Sequence, residues 1–442
     1  MSHSIKYLEN ISATVNIPPD KSISHRALIL ASIAEGKTLI KNLLDCDDTR
    51  ATLDCLRRLG VKITKKGKDA LVQGCGKFFP KPKNEPLKLK ANESGTTMRV
   101  LSGLLSTQKF SVEFEGKARL NQRPMARIIE PLRKMGANIE GRFYQPTRLG
   151  AEPEICPPLL IAPADQGIKG IDYGLPVSSA QVKSAIILAA LYAEEKTIIR
   201  EPHLSRDHTE RMLKSFKVKI EVKEKEIVCY PAKKLESPGS LEVPADFSSA
   251  AFFIVLGLIL KNSQITIKNV NLNPTRCGLL KVLKRMGANI QEERLSAEAY
   301  GNELCGNLKV KSSALTAATV GPQDIPSMID EIPILSVAAA LAKGNTLISG
   351  LDELRVKEAD RLESIHSMLR RTGVVTRPVG ASGIEIRGGT TLQKAEFDSF
   401  NDHRMAMSAI ILGSTVGGCR INETKCIDKS FPEFISSINR LP

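Results

Sequence analysis

The chain has 442 residues, of which 25% are charged and 42% hydrophobic, so it is long enough for two or three domains with buried cores. This composition excludes a disordered or fibrous protein. The longest apolar run, Ala250 to Leu260, is shorter than the roughly 18 residues that a membrane-spanning helix requires. Residues 1–19 alternate between polar and apolar and lack a secretion signal, so we expect a cytoplasmic protein.

The formal charge of +15, from 63 basic and 48 acidic residues, favours anionic partners. Aromatic residues make up 4% of the chain and Trp is absent, which favours small anions over nucleic acid. The nine cysteines form no Cys-x-x-Cys pair, and the six histidines form no His-x-x-x-His pair. This pattern predicts reduced thiols and no structural zinc site.

A segment of small apolar residues recurs six times, each time opening on a polar cluster and leading into a β-branched strand. In chain order the segments begin at Ser22, Ser94, Ser178, Phe247, Asp330 and Asn401. Amphipathic segments, most of them stopped by Gly, lie after them at 48–63, 124–139, 207–220, 275–290 and 358–376, with a truncated sixth copy at 432–442. The repeat predicts six α/β units, each with one apolar and one amphipathic helix.

Two similar hexapeptides divide the six units into two groups of three. Residues 17–22 read IPPDKS and residues 243–248 read VPADFS, and both precede an apolar helix about half the chain apart. We therefore expect an α/β protein of two pseudo-equivalent lobes, one spanning 21–243 and the other combining 1–20 with 244–442. Two crossing strands would form the hinge, and ligands would bind in a cleft between the lobes.

The polar cluster at each helix start has two interpretations. Ser22 and Arg26 lie one turn apart beside free N–H groups, which is typical of an anion site but also of a capped helix with a solvated cation. Asp330 is the acid expected of a helix cap, and Lys357, Glu358 and Arg361 are also typical of surface salt bridges. Because the clusters share one place in a repeated unit, we expect them to meet on one face of each lobe and bind a substrate with several negative charges.

Eight ordered motifs carry a resemblance to a known family. They are KSISHRALILA, SGTTMR, QRPM, SSAQVKSA, SRDHTE, LRVKEADRL, NDHRMAM and DKSFPEF, and together they span nearly the whole chain. In order and spacing they resemble the 5-enolpyruvylshikimate-3-phosphate synthases of the enolpyruvyl transferase family. The resemblance implies an inside-out α/β barrel of two lobes, each of three repeated units. It also implies a monomer that transfers the enolpyruvyl group of phosphoenolpyruvate to the 5-hydroxyl of shikimate 3-phosphate and releases phosphate, without a metal or organic cofactor.

The resemblance also implies the site residues. The residues expected to bind shikimate 3-phosphate are Lys21, Ser22, Arg26, Ser178, Ser179, Gln181, Arg206, Asp330 and Lys357. Those expected around phosphoenolpyruvate are Lys21, Gly95, Arg123, Arg361, Arg404 and Lys429. Asp330 is implied as the base toward the 5-hydroxyl, and either Glu358 or Lys21 as the group that transfers the proton at the methylene carbon.

Two positions of the SGTTMR region bear on the donor site. Glu93 stands where the family usually has Asn, which would add a negative charge beside phosphoenolpyruvate unless the side chain points away. Gly95 stands where glyphosate-tolerant members have Ala, so the resemblance implies a glyphosate target.

Two related functions are alternatives. UDP-N-acetylglucosamine enolpyruvyl transferase shares the donor and the chemistry, but its loop cysteine has no counterpart in the segment GKARLNQRP at 116–124. RNA 3′-phosphate cyclase has a similar repeated unit and suits the positive charge, but its active-site histidine motif is not apparent. A non-enzymatic anion-binding protein would have no use for acids that converge with the cations.

Overall fold

The computed structural model of the chain describes residues 2–145, 153–355, 357 and 359–442. The chain divides into two units that interleave along the sequence. The N-terminal unit contains residues 19–243 and 297–303, and the C-terminal unit contains residues 1–18, 244–296 and 304–442. Residues 297–303 were expected in the C-terminal lobe, but the tertiary contacts group them with the N-terminal unit.

Twelve α-helices lie in the described part of the chain, and they follow the predicted alternation of apolar and amphipathic segments. The apolar helices are α1 (Lys21–Ile33), α3 (Gly95–Leu105), α5 (Ala180–Ala190), α7 (Phe247–Ile259), α9 (Ile332–Leu341) and α11 (His403–Ser414). The amphipathic helices are α2 (Asp47–Arg58), α4 (Ala126–Lys134), α6 (His208–Ser215), α8 (Gly278–Arg285), α10 (Arg361–Arg371) and α12 (Phe434–Asn439). No helix of the described residues is both long and apolar enough to cross a membrane.

Six small sheets accompany the helices, one for each repeat. In the N-terminal unit the strand order of the first sheet is β14 (Ser240–Glu242), β3 (Lys37–Lys41), β5 (Asp69–Gln73), β4 (Lys62–Lys66). That of the second sheet is β6 (Leu87–Asn92), β7 (Val112–Gly116), β9 (Glu154–Ala162), β8 (Asn138–Tyr144). That of the third sheet is β10 (Asp172–Gly174), β11 (Thr197–Arg200), β13 (Glu226–Cys229), β12 (Ile220–Lys223). In each of these three sheets the first pair of strands is parallel and the other pairs are antiparallel.

The sheets of the C-terminal unit repeat this pattern. The strand order of the first sheet is β2 (Ser12–Val15), β15 (Gln264–Asn271), β17 (Cys305–Lys311), β16 (Asn289–Leu295). That of the second sheet is β18 (Thr319–Val320), β19 (Asn345–Ile348), β21 (Gly383–Arg387), β20 (Thr376–Val379). The third sheet has three strands in the order β22 (Glu396–Asp398), β23 (Arg420–Asn422), β1 (Ser2–Ser4). The first pair of each sheet is again parallel. The six predicted α/β units are therefore present.

Two of these strands lie in a different unit from the helix that follows them in the chain. β2 precedes α1 but pairs with β15, whereas β14 precedes α7 but pairs with β3. The helices that follow are capped alike, because Asp20 accepts from the amide of Ile23 and Asp246 accepts from the amide of Ser249. The similarity of the two hexapeptides thus corresponds to equivalent places where the chain passes from one unit to the other.

Each unit has its own hydrophobic core around its three apolar helices. In the N-terminal unit α3 and α5 approach so closely at Gly103 that an added Cβ would lie 2.0 Å from the carbonyl oxygen of Ala185. In the C-terminal unit the terminal helix α12 is anchored by Phe434, which packs edge-on against Phe252 and Phe253. The close approach at Gly103 packs α3 directly against α5, and both helices carry predicted site residues at their starts.

Replacing Gly103 with Ala should destabilise the N-terminal unit, because the new methyl group meets backbone that can yield only by moving a helix. We expect a loss of about 1–3 kcal/mol in the free energy of unfolding, measured by urea denaturation. Gly174→Ala is the control, because a Cβ there has no neighbour within 4 Å. A similar loss in both variants would contradict the proposed close packing.

Candidate active site

In the N-terminal unit the structure brings Ser22 and Arg26 together on α1, and Arg26 is almost fully buried. The Nε of Arg26 donates to Thr209 Oγ1 at 2.7 Å, and a terminal nitrogen donates to Ser184 Oγ at 2.7 Å. The other terminal nitrogen donates to the carbonyl of Ser22 at 3.0 Å. These contacts hold the guanidinium in one orientation and leave part of its donor capacity for a ligand.

Arg206 lies in the loop before α6 and is half-buried. Burial lowers the pKa of Arg26 to about 10; the carboxylate of Glu210 opposes this shift, and the charge of Arg206 adds to it. The two arginines are therefore near enough to repel each other. A bound anion would relieve that repulsion, so the pair is suited to a phosphate or carboxylate group.

Ser178 and Ser179 lie at the start of α5 and are half-buried. Ser179 is the N-cap and accepts from the amide of Val182. Ser178 Oγ donates to the carbonyl of His203 at 2.6 Å and accepts from the amide of the same residue at 3.0 Å. The capping interpretation therefore holds for Ser179. Ser178 instead anchors the loop that carries Arg206 through its two hydrogen bonds to the backbone of His203.

The side chains of Arg99 and Arg123 lie close to Gly95, and Arg99 also contacts Gln181. Gln181 Oε1 accepts from Arg99 at 2.8 Å, and Gln181 Nε2 donates to Thr96 Oγ1 at 2.9 Å. A Cβ on Gly95 would lie 3.0 Å from a terminal nitrogen of Arg123 and 3.4 Å from one of Arg99. The absence of a side chain at Gly95 thus lets two guanidinium groups reach the start of α3, as an anion site requires.

Lys21 forms an ion pair with Asp48, with 2.9 Å between Nζ and Oδ2. The carbonyl of Asp48 accepts from Thr97 Oγ1 at 3.3 Å, so this acid also contacts the first turn of α3. Both charged side chains of the pair retain some exposure, 20% for Lys21 and 15% for Asp48. Lys21 therefore lies at the surface of the unit, near the start of α3.

The C-terminal unit brings Asp330, Arg361 and Arg404 together. Asp330 Oδ1 lies 3.3 Å from Arg361 Nη1, and Asp330 Oδ2 lies 3.4 Å from Arg404 Nη2. Arg404 also donates to the backbone carbonyl of Asp330 at 3.1 Å. The Asp330 side chain is 17% exposed, whereas that of Arg361 is 1% exposed. The arrangement presents one accessible carboxylate between two oriented cations.

Two acids that the sequence analysis did not select support these arginines. Asp402 accepts from Arg361 Nε at 2.7 Å with one oxygen and caps α11 by accepting from the amide of Arg404 with the other. Glu331 is buried, lies 3.6 Å from Arg404 Nη1 and pairs with Arg276 at 2.9 Å. Asp402 belongs to the NDHR motif and was detectable as a cap, whereas no sequence signal links Glu331 to Arg276.

Lys357 and Lys429 are the other predicted residues of this unit that the structure describes. Lys357 and Lys429 are half-buried, and Lys429 ends a 3₁₀ helix at Thr424–Lys429. Glu358, predicted for proton transfer, lies outside the described residues. Within the described ranges, no three His, Cys, Asp or Glu side chains are grouped as a metal site would require.

Comparison with known proteins decides the family. A family model for EPSP synthase (3-phosphoshikimate 1-carboxyvinyltransferase) matches residues 5–438. The chain belongs to the EPSP synthase family. Members of this family are transferases of the shikimate pathway that move the enolpyruvyl group of phosphoenolpyruvate to shikimate 3-phosphate, and the chain is an enzyme of this class.

Individual relatives agree with this family assignment over their full length. The 3-phosphoshikimate 1-carboxyvinyltransferase of Thermoanaerobacter sp. (strain X514) is 41% identical over 445 residues, covering 100% of both chains. That of Carboxydothermus hydrogenoformans is 44% identical over 434 residues, covering 98% of this chain and 97% of the relative. A solved EPSP synthase from Acinetobacter baumannii superposes with a TM-score of 0.87 at 37% identity, covering 99% of this chain and 97% of that one. The match confirms the predicted family, fold class and reaction.

A chain of side-chain hydrogen bonds links the starts of α1 and α3 in this family member. His25 Nδ1 lies 2.7 Å from Thr52 Oγ1, which lies 2.7 Å from Thr97 Oγ1, and Thr97 donates to the N-cap Ser94 at 2.7 Å. Burial lowers the pKa of His25 to about 3. The imidazole is therefore neutral throughout the physiological range and acts here as a fixed hydrogen-bonding group.

The low pKa of His25 predicts a pH-dependent stability. Because the folded pKa lies below the unfolded value of about 6.5, stability is complete above pH 6.5 and is lost as the pH falls toward 3. We expect His25→Gln to remove up to about 1.4 kcal/mol per pH unit from the slope of unfolding free energy between pH 6 and 4. His203→Gln, at an exposed side chain, is the control in the same urea titrations. An unchanged slope in His25→Gln would contradict the assignment.

Proposed function

We propose that the enolpyruvyl transfer uses the residues that the family resemblance selected, divided between the two units. The N-terminal unit binds mainly shikimate 3-phosphate, through Lys21, Ser22, Arg26, Ser178, Ser179, Gln181 and Arg206. The C-terminal unit supplies acid–base chemistry from Asp330 and Glu358, a substrate contact from Lys357, and Arg361, Arg404 and Lys429 for phosphoenolpyruvate. Lys21, Gly95 and Arg123 complete the set for phosphoenolpyruvate. The grouping of Asp330 with Arg361 and Arg404 is the observation that carries this proposal.

The chemistry of the transfer suits these groups. Attack by the 5-hydroxyl requires a base, and protonation of the methylene carbon requires an acid. Expulsion of phosphate then requires removal of a proton from the methyl group so formed, together with stabilisation of the negative charge of phosphate. Asp330 is the base in this proposal, because its carboxylate is accessible while Arg361 and Arg404 hold its direction. Glu358 or Lys21 moves the proton at the methylene carbon. The arginines stabilise the carboxylate and phosphate of the donor.

We also propose that the enzyme acts as a monomer in the cytoplasm. Every proposed site residue lies on this one chain, so a second copy is not needed to complete the site. All nine cysteines carry free thiols and eight of them are buried, which supports a reducing compartment.

Replacing Asp330 with Asn tests the assignment of the base. We expect kcat to fall by about 10²–10⁴ because the amide cannot accept the proton of the 5-hydroxyl, while the fold is retained. Phosphate release from phosphoenolpyruvate is measured with shikimate 3-phosphate as the acceptor. A parallel assay with UDP-N-acetylglucosamine as the acceptor is the negative control. Asp324→Asn is the matched control, because Asp324 pairs with Arg285 at 2.9 Å and has no proposed role. Equal rates for the two variants would exclude Asp330 as the base.

Replacing Gly95 with Ala tests the donor site. The new methyl group would lie 3.0 Å from a terminal nitrogen of Arg123, a flexible side-chain end that can shift by a few tenths of an ångström. We expect a KM for phosphoenolpyruvate raised several-fold and weaker inhibition by glyphosate, whereas the original chain is inhibited at millimolar glyphosate. Gly174→Ala is the control. An unaltered KM and unaltered inhibition in Gly95→Ala would place the donor elsewhere.

A further inference from the structure

Lys183, a buried lysine in the N-terminal unit, has no role in the proposed function. Lys183 lies on α5, and its side chain is 1% exposed. Its ammonium group lies 2.7 Å from Glu201 Oε2 and 2.8 Å from Glu210 Oε1. It also donates to the carbonyl of Ser205 at 3.3 Å. One buried cation thus joins a helix, a loop and a second helix.

Stability alone does not explain this cluster. Desolvation acts to lower the pKa of Lys183, but Glu210 and Glu201 outweigh it, so that the pKa is raised and the lysine stays charged. Desolvation also raises the pKa of Glu210. Buried charge clusters of this kind are often no more stabilising than apolar residues of similar volume. What the cluster provides is a fixed geometry.

The geometry that Lys183 fixes is that of the loop carrying Arg206. The carbonyl that accepts from Lys183 belongs to Ser205, the residue directly before Arg206. The hydroxyl of Ser205 in turn donates to Glu201, the residue at which the loop leaves β11. Lys183 therefore contacts both ends of the loop segment 201–205. These contacts fix the backbone position from which the side chain of Arg206 extends.

The same cluster lies directly behind Arg26. Ser184 and Thr209, which receive the guanidinium of Arg26, are the chain neighbours of Lys183 and Glu210 and lie 2.7 Å from each other. The charge of Glu210 acts on Arg26 and raises its pKa, against the effect of Arg206. One buried cluster thus supports both arginines of the pair.

We propose that Lys183 is a positioning residue for the acceptor substrate, and this inference rests on the proposed assignment of Arg26 and Arg206 to shikimate 3-phosphate. Lys183 does not touch the substrate. It holds Arg206 at a set distance from Arg26 despite their mutual repulsion. The two arginines are therefore preorganised for the anionic acceptor, which lowers the cost of binding. Loss of Lys183 lets the loop relax and weakens acceptor binding.

The first test is Lys183→Met. The expected result is a KM for shikimate 3-phosphate raised about tenfold, with kcat within about twofold and an unchanged KM for phosphoenolpyruvate at saturating acceptor. Lys225→Met is the matched control, because Lys225 donates to the carbonyl of Pro202 in the same loop at 2.7 Å but at its exposed end. Equal effects on both KM values, or an effect on kcat alone, would overturn the proposal.

A double-mutant cycle with Arg206→Met separates the inference from the proposed function. The affinity for shikimate 3-phosphate is measured by calorimetry for each single variant and for the pair. We expect Lys183→Met to have no further effect once Arg206 is gone. Full affinity in Arg206→Met would refute the site assignment itself. An effect of Arg206→Met without one from Lys183→Met, or additive effects, would overturn the role of Lys183.

A variant with an uncharged cluster distinguishes a loss of positioning from a loss of folding. Lys183→Met combined with Glu201→Gln and Glu210→Gln leaves none of these three residues as an unpaired buried charge while removing the donor to Ser205. We expect this triple variant to fold and to show the same tenfold loss of acceptor affinity. Wild-type affinity in the triple variant would refute the positioning role. Failure of both variants to fold would assign Lys183 to stability and would equally overturn the proposal.

Discussion

The burial of three apolar helices in each unit is the constraint on which the rest of the structure depends. Helices such as α1 and α7 are apolar on nearly every side, so the interior of a unit is the place where they are stable. The charged residues of the apolar helices lie within their first two turns. Because the repeat places these first turns at equivalent positions, charged side chains collect at the helix starts, and the proposed site residues are among them.

The two units use different chemistry at those helix starts. In the N-terminal unit the groups are hydroxyls, an amide and cations, arranged around Arg26 and along the chain from His25 to Ser94. In the C-terminal unit carboxylates and guanidinium groups alternate, with Asp330 in contact with Arg361 and Arg404. The first set suits recognition of an anionic, hydroxylated acceptor, and the second suits proton transfer beside a developing negative charge.

Buried charge is concentrated where position matters. Arg361 is held by Asp402 and Asp330, and Lys183 by Glu201 and Glu210, although desolvation makes each of these ions costly. A charged group with several fixed partners has one orientation, which a surface salt bridge does not impose. In the proposed site, Asp402 therefore orients Arg361 without itself contacting the substrate.

The sequence by itself determined the repeats, the twelve helices and the family, because apolar periodicity, caps and ordered motifs are local features of the chain. It also indicated that Asp330, Arg361 and Arg404 act together, although their contact became measurable only in the structure. The tertiary structure alone decided the partners of β2 and β14, the grouping of residues 297–303 with the N-terminal unit, and the close approach at Gly103. It alone paired Lys183 with its two acids and Glu331 with Arg276. These features join residues far apart in the chain, and burial, not local pattern, selects such partners.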